Sequence, residues 1–166
     1  GGGFSDCAEK TTLDSFGWGM TALAAKTGNP VWSWYAGLAG NGNQRALPYL
    51  RLLRSRETLP PARAPDGLPT SKLFRGSGIA VMNTCLADAS NDVQVLFKSS
   101  PGCGTWSHGY DANNAFHLNA YGSSLFKHAG YRDCSGSPFQ MKYMHRSESC
   151  NTVTAGGDAF MVQGFP

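Results

Sequence analysis

The chain has 166 residues, 41% hydrophobic and 11% aromatic, which suits one globular unit of roughly 100–200 residues and excludes a disordered or low-complexity chain. Only 15% are charged, against a usual share of about 25%, and Gly (21) and Pro (9) are plentiful, so short strands and turns are expected over long solvated helices. The net charge of +3 excludes the massed basic face of a nucleic-acid binder, and no window approaches the roughly 18–20 apolar residues of a membrane span.

The start, Gly1-Gly2-Gly3-Phe4-Ser5-Asp6, has no basic end, no apolar run and no Met, so it does not read as a signal peptide and the sequence is expected to be a fragment. Thr12-Leu13-Asp14 offers a helix cap, after which Phe16, Met20, Leu23 and Ala24 recur on one helix face until Gly28-Asn29-Pro30 stops it. A second short helix is predicted over Val31 to Leu38, with Val31, Trp34, Tyr35 and Leu38 on its apolar side and Gly40-Asn41-Gly42-Asn43 at its end. The pair reads as a helical hairpin whose aromatic weight is core packing. Leu47 to Arg54 is a candidate for one more helix.

Residues 45–75 hold seven of the 14 positive charges (Arg45, Arg51, Arg54, Arg56, Arg63, Lys72, Arg75), read as a solvated face rather than a track for a polyanion. Leu59-Pro60-Pro61 and Ala64-Pro65-Asp66-Gly67 cannot be a regular element. The chain therefore divides into a helical segment (1–58), a Pro-rich linker (59–75) and an antiparallel sheet domain (76–166), an α+β fold.

In the last part the period becomes that of strands. Gly78 to Asn83 and Val93 to Lys98 are strands around the turn former Asp88-Ala89-Ser90-Asn91-Asp92. Ala115 to Tyr121 and Ser124 to His128 form a hairpin turning on Gly122-Ser123, and Asn151 to Thr154 with Ala159 to Val162 form another. Short strands with small polar turns argue for an antiparallel sandwich, with nothing like an alternating βαβ unit. The five cysteines (Cys7, Cys85, Cys103, Cys134, Cys150) show no CxxC pair, so a zinc knuckle or thioredoxin motif is not expected; one or two disulfides and scattered buried thiols both remain open.

The densest polar cluster runs from Thr105 to Phe116 and carries His108, Tyr110, Asp111, Asn113 and Asn114 in a loop leading into a strand. A loop on a rigid sheet can place such groups for acid/base work, although an isolated loop histidine is more often structural or merely exposed.

Several motifs in this order resemble the sheet domain of heparinase II/III-like polysaccharide lyases. They are Phe74-Arg75-Gly76-Ser77-Gly78-Ile79-Ala80-Val81-Met82, Asn91 to Pro101, Ser107-His108-Gly109-Tyr110-Asp111-Ala112-Asn113-Asn114-Ala115-Phe116, Leu118 to Leu125, Ala129-Gly130-Tyr131 and Ser147-Glu148-Ser149-Cys150-Asn151-Thr152-Val153. Residues 12–40 look like the last helices of the (α/α) toroid that precedes this domain. The resemblance implies β-elimination on a uronate-containing acidic polysaccharide, with His108 facing the cleft between toroid and sheet. Tyr110, Asn114, Tyr143 and Arg146 would meet substrate, Asn114 being alternatively a turn residue and Tyr143 and Arg146 sheet-surface residues. It also implies a periplasmic or secreted bacterial protein, partnered by the remaining toroid and sheet segments, since the family's main catalytic Tyr and its partner His and Asn would precede position 1.

The departures concern metal and loop shape. The positions at which many family members bind zinc hold Tyr110, His128 and Cys150, so a metal-free site with no cofactor is expected over an unusual Tyr/His/Cys centre. Asp111 and Ala112 stand exchanged relative to the family pattern. A non-catalytic carbohydrate-binding or structural sandwich derived from the fold is the alternative reading.

Overall fold

The computed structural model describes residues 17–39, 58–100, 112–128, 136–144 and 146–153. The chain divides between Leu68 and Pro69 into two compact units.

In the first unit, α1 (Gly17–Thr27) and α2 (Pro30–Leu38) pack on one another as the expected hairpin. Gly28 ends α1 at φ +66° while its N–H still reaches the Ala24 carbonyl at 2.9 Å, a left-handed stop that glycine adopts without strain. Asn29 then caps α2, its Oδ1 accepting the Val31 N–H at 3.0 Å, and Pro30 occupies the first turn, where no N–H is needed. Ala24, Val31 and Ala39 are buried. Leu23 and Leu38, expected on the packed faces, stay exposed. The chain returns to the hairpin where the Arg63 N–H donates to the Pro30 carbonyl at 3.2 Å. The expected helix at Leu47 to Arg54 lies outside the described residues.

The second unit is a five-stranded antiparallel meander of β1 (Ser71–Phe74), β2 (Ile79–Asn83), β3 (Val93–Lys98), β4 (Ala115–Ala120) and β5 (Ser123–Phe126), paired in chain order. The fold is thus α+β, short helices followed by an antiparallel sheet. Among the described residues there is one sheet layer.

The strand expected from Gly78 begins at Ile79. Gly78 sits at φ +62° against the Ser99 and Ser100 backbone, so a side chain there would collide and only glycine fits. β1 is an unanticipated strand lying in the stretch read as linker, fixed by its register Leu73 to Ala80 and Phe74 to Ile79. The β2–β3 connection is tied by Asp92, whose Oδ1 accepts the N–H groups of Thr84 and Cys85, both at 2.9 Å. Asp88 holds the tip by accepting from the Ser90 N–H and hydroxyl, bonds that draw its carboxyl below the ordinary value.

The hairpin β4–β5 turns on Tyr121-Gly122 rather than Gly122-Ser123. Both central residues have positive φ, 52° and 77°, the mirror-image turn whose twist matches paired strands, so Ser123 becomes the first residue of β5. β5 ends at Phe126, before the expected His128.

Two other expectations are corrected. Asn151 to Val153 is not a strand, because Asn151 adopts φ 50°, which breaks an extended run; the rest of that predicted hairpin lies outside the described residues. Tyr143 and Arg146 are not on a sheet surface. Tyr143 lies in a wide helical turn, Gln140–Met144, and Arg146 directly precedes a 3-10 turn, Ser147–Ser149.

Strand register sorts the side chains. Lys72, Val81, Leu96 and His117 share one row across β1 to β4, and Leu73, Ala80, Phe97 and Phe116 share the next, which points to the opposite face. The His117 face also carries an amide ladder, in which Gln94 Nε2 donates to Asn83 Oδ1 at 2.8 Å and Asn119 Nδ2 donates to Gln94 Oε1 at 3.0 Å. The buried core of this unit joins Ala112 and Ala115 to Met144 and Cys150.

Candidate functional site

His108 and Tyr110 lie outside the described residues. The described site begins where their loop rejoins the sheet. There Asn113 accepts the Ser100 N–H at 2.9 Å through Oδ1, and the Asn114 N–H donates to the Lys98 carbonyl at 2.8 Å. Asn114 is exposed and holds φ 63°, a left-handed turn position that asparagine tolerates. The side-chain bond that orients this loop end belongs to Asn113, which sequence reasoning passed over in favour of its neighbour.

Residues 136–144 and 146–153 carry the remaining described candidates. Their helical turn is set by Ser137, whose Oγ accepts the Gln140 N–H at 3.1 Å, and by Gln140, whose Oε1 accepts the Gly136 N–H at 2.5 Å. Gln140 and Met144 face inward, which leaves Tyr143 on the outer side beside Phe139, ring centroids 5.3 Å apart and tilted by 36°. Arg146 follows, half-buried.

Beneath these residues lies a polar cluster that is almost wholly buried: His117, His128, Ser149 and Cys150. β4 delivers His117 on its inward face, and His128 follows the end of β5. The His128 N–H donates to His117 Nε2 at 3.3 Å, and His128 Nε2 lies 3.5 Å from Ser149 Oγ. Ser149 Oγ donates towards the Met144 and Arg146 carbonyls, at 2.8 and 2.9 Å, and lies 3.4 Å from Cys150 Sγ. The Cys150 thiol donates to the Arg146 carbonyl at 3.3 Å.

Burial disfavours the charged imidazolium at both histidines. It lowers the pKa of His117, and it pushes that of His128 down to about 4, helped by His117 beside it. Both are neutral at physiological pH.

The structure thus brings His128 and Cys150 each to within 3.5 Å of the Ser149 hydroxyl, which also meets the Met144 and Arg146 carbonyls. His117 and Ser149 had no signal as site residues. A histidine inside the strand Ala115-Phe116-His117-Leu118 reads as an interruption of its alternation, and the work of Ser149 depends on partners distant in sequence. Among the described residues, no group of three or more His, Cys, Asp or Glu side chains is gathered as a metal site, and no helix is long and apolar enough to cross a membrane.

No protein-family model matches the chain, and no curated protein matches it. Solved structures do. A heparinase III, the BT4657 gene product, is similar at 22% identity with a TM-score of 0.60, covering 91% of this chain and 20% of its own. The heparan sulfate lyase HepC of Pedobacter heparinus is similar at 18% identity with a TM-score of 0.57, covering 82% of this chain and 18% of its own. The likeness is one of fold, and this chain spans about a fifth of the length of either neighbour.

Proposed function

We propose that this chain carries part of a polysaccharide lyase that cleaves uronate-containing acidic polysaccharides by β-elimination. The observation behind this reading is the fold likeness to two lyases, over 91% and 82% of the chain, in a sequence that also holds the Ser107-His108-Gly109 motif. The reaction removes the C5 proton beside a uronate carboxylate and breaks the C4–O bond, leaving a C4–C5 double bond. The proton is acidic enough to leave only when donors neutralise the carboxylate, and the departing oxygen must be protonated. His108 is the proton-transfer group. Arg146 is the cation for the carboxylate, Tyr143 offers a ring and hydroxyl, and Tyr110 and Asn114 offer hydrogen bonds to the sugar.

The reading uses no metal. The positions at which the family binds zinc hold Tyr110, His128 and Cys150 here, and tyrosine is a poor zinc ligand. A periplasmic or secreted location follows from a polymeric acidic substrate.

The test is ultraviolet absorbance of the unsaturated uronate, which only elimination produces. It is measured on heparan sulfate, chondroitin and alginate, with residues 1–166 alone and with a polypeptide that also supplies a helical toroid. Activity is expected only from the longer polypeptide, because misplacing reacting groups by about 1 Å costs roughly 10²-fold. His108→Ala should lower turnover there by about 10²-fold or more with little change in melting temperature. Near-normal turnover would remove His108 from the chemistry, and binding without absorbance would favour a carbohydrate-binding module.

A further inference from the structure

We infer that Ser149 is a positioning residue: its hydroxyl fixes the turn bearing Tyr143 and Arg146 against the β4–β5 hairpin and thereby sets where both side chains meet an acidic sugar. The inference rests on the substrate roles proposed above for those two residues.

The argument is one of counting protons. A serine hydroxyl has one proton and two lone pairs. Ser149 Oγ faces two backbone carbonyls, Met144 at 2.8 Å and Arg146 at 2.9 Å, and carbonyls cannot donate. The hydroxyl proton is therefore committed to that pair, and the lone pairs of Oγ are left for a donor. His128 Nε2, 3.5 Å away, supplies one when it carries the proton. The neighbouring bonds run the same way, since the His128 N–H donates to His117 Nε2, which places the His117 proton on Nδ1. The Arg146 carbonyl also accepts the Ser149 N–H at 3.1 Å and the Cys150 thiol at 3.3 Å.

These carbonyls belong to the segment that carries Tyr143 and Arg146. The 3-10 turn gives the Arg146 carbonyl the Ser149 N–H at 3.1 Å and the Ser147 carbonyl the Cys150 N–H at 3.0 Å, and the Ser149 hydroxyl adds a side-chain donor that reaches the Met144 carbonyl, in the preceding turn. At the far end Thr152 Oγ1 donates to the Ser147 carbonyl at 2.8 Å. Ser149 links the turn to His128, and so to the end of β5. With the hydroxyl removed, the Arg146 carbonyl keeps the Ser149 N–H and the Cys150 thiol, whereas the Met144 carbonyl loses this donor and the turn loses this contact with His128.

The test combines histidine NMR with oligosaccharide binding. In the intact chain, nitrogen shifts should show His128 as the Nε2–H tautomer, with a signal that moves in S149A and stays unmoved on adding zinc ion alone. The Tyr143 ring and Arg146 Nε–H signals should shift in S149A but not in S90A, a hydroxyl deletion in the β2–β3 turn. Size-defined heparan sulfate oligosaccharides should bind S149A about 10-fold more weakly, a loss of about 1.4 kcal/mol, while S149T, which keeps the hydroxyl, should bind within about 2-fold of the parent on that scale. If Ser149 acts through Arg146, S149A in an R146Q background should add little, whereas a merely structural role gives additive losses. Additive losses, parental affinity in a folded S149A, or an Nδ1–H tautomer at His128 would overturn the inference. If S149A does not fold, S149C replaces it. If the parent binds no oligosaccharide, the functional reading fails by itself, and the Tyr143 and Arg146 signals still decide whether Ser149 positions them.

Discussion

The sheet and the segment 136–153 are held by opposite means. In β1 to β5 the backbone satisfies itself through the ladder, so the side chains are released from that task. One face carries Leu73, Met82, Phe97 and Phe126, which remain 36–53% exposed. Among the described residues of 136–153 the backbone bonds are those of short helical turns and not of paired strands, and the buried side chains include Ser137, Gln140, Ser147 and Ser149. The difference teaches that regular backbone permits an apolar surface, whereas irregular backbone calls for polar side chains inside, Ser137 and Gln140 accepting backbone N–H groups and Ser149 donating to carbonyls. The polar content of 136–153 is therefore a structural requirement first, and the site residues stand on top of it.

The sharpest way to break this comparison is at the few apolar residues that seal the segment. Met144 is fully buried with Ala112, Ala115 and Cys150, and Met144→Ala is expected to destabilise the sheet unit by about 2–5 kcal/mol, the usual cost of such a cavity. Urea denaturation followed by circular dichroism measures it. A loss below about 1 kcal/mol would show that the polar bonds, not the packing, hold the segment in place.

A second effect should follow pH. His128 has its pKa lowered from 6.5 to about 4 in the folded chain. Above the ordinary value neither state binds the proton, so the full stability is present. As pH falls below it the unfolded chain protonates first, and stability is lost until the folded pKa is reached. The window runs from about pH 6.5 to 4, and one group shifted this far accounts for about 3 kcal/mol across it. His117 is shifted in the same direction and adds to the loss. Denaturation midpoints across this window check the slope, which should flatten in His128→Asn. An equally steep slope in that variant would place the sensitivity elsewhere.

What the sequence made legible follows the same division. β3 was readable because Val93 to Lys98 follows a clear run of turn formers, and α2 because Val31, Trp34, Tyr35 and Leu38 recur at helical spacing after the break at Gly28-Asn29-Pro30. β1 was not readable, since four residues, Ser71–Phe74, are too few to display a period and its neighbours are proline-rich. The β4–β5 turn was misplaced by one residue because tyrosine at positive φ is uncommon and Gly122-Ser123 looked the better turn. The expected strand at Asn151 failed for a related reason, a positive φ that asparagine tolerates without announcing it. For the site, the family resemblance drew attention to His128 and Cys150, and the structure brings both to Ser149. Neither motif nor periodicity could show His117 beneath them or the hydroxyl between them, because those contacts join residues that are 11 and 21 positions apart.

The smallest expected effect is on the open face of the sheet. Leu73 lies on the edge strand β1, opposite Ala80, and is 53% exposed. Threonine suits a strand as well as leucine does, so Leu73→Thr removes apolar contact without disturbing the ladder. Burying a whole leucine side chain contributes about 1.5–3 kcal/mol, and a half-exposed one should lose less than about 1 kcal/mol on replacement. The same denaturation experiment as for Met144 measures it, so the two variants compare the faces directly. If the loss instead reaches about 2–3 kcal/mol, the face is covered in solution by a layer beyond the described sheet. In that case the comparison would change: the apolar face would be a second core, and both faces of the sheet would be buried.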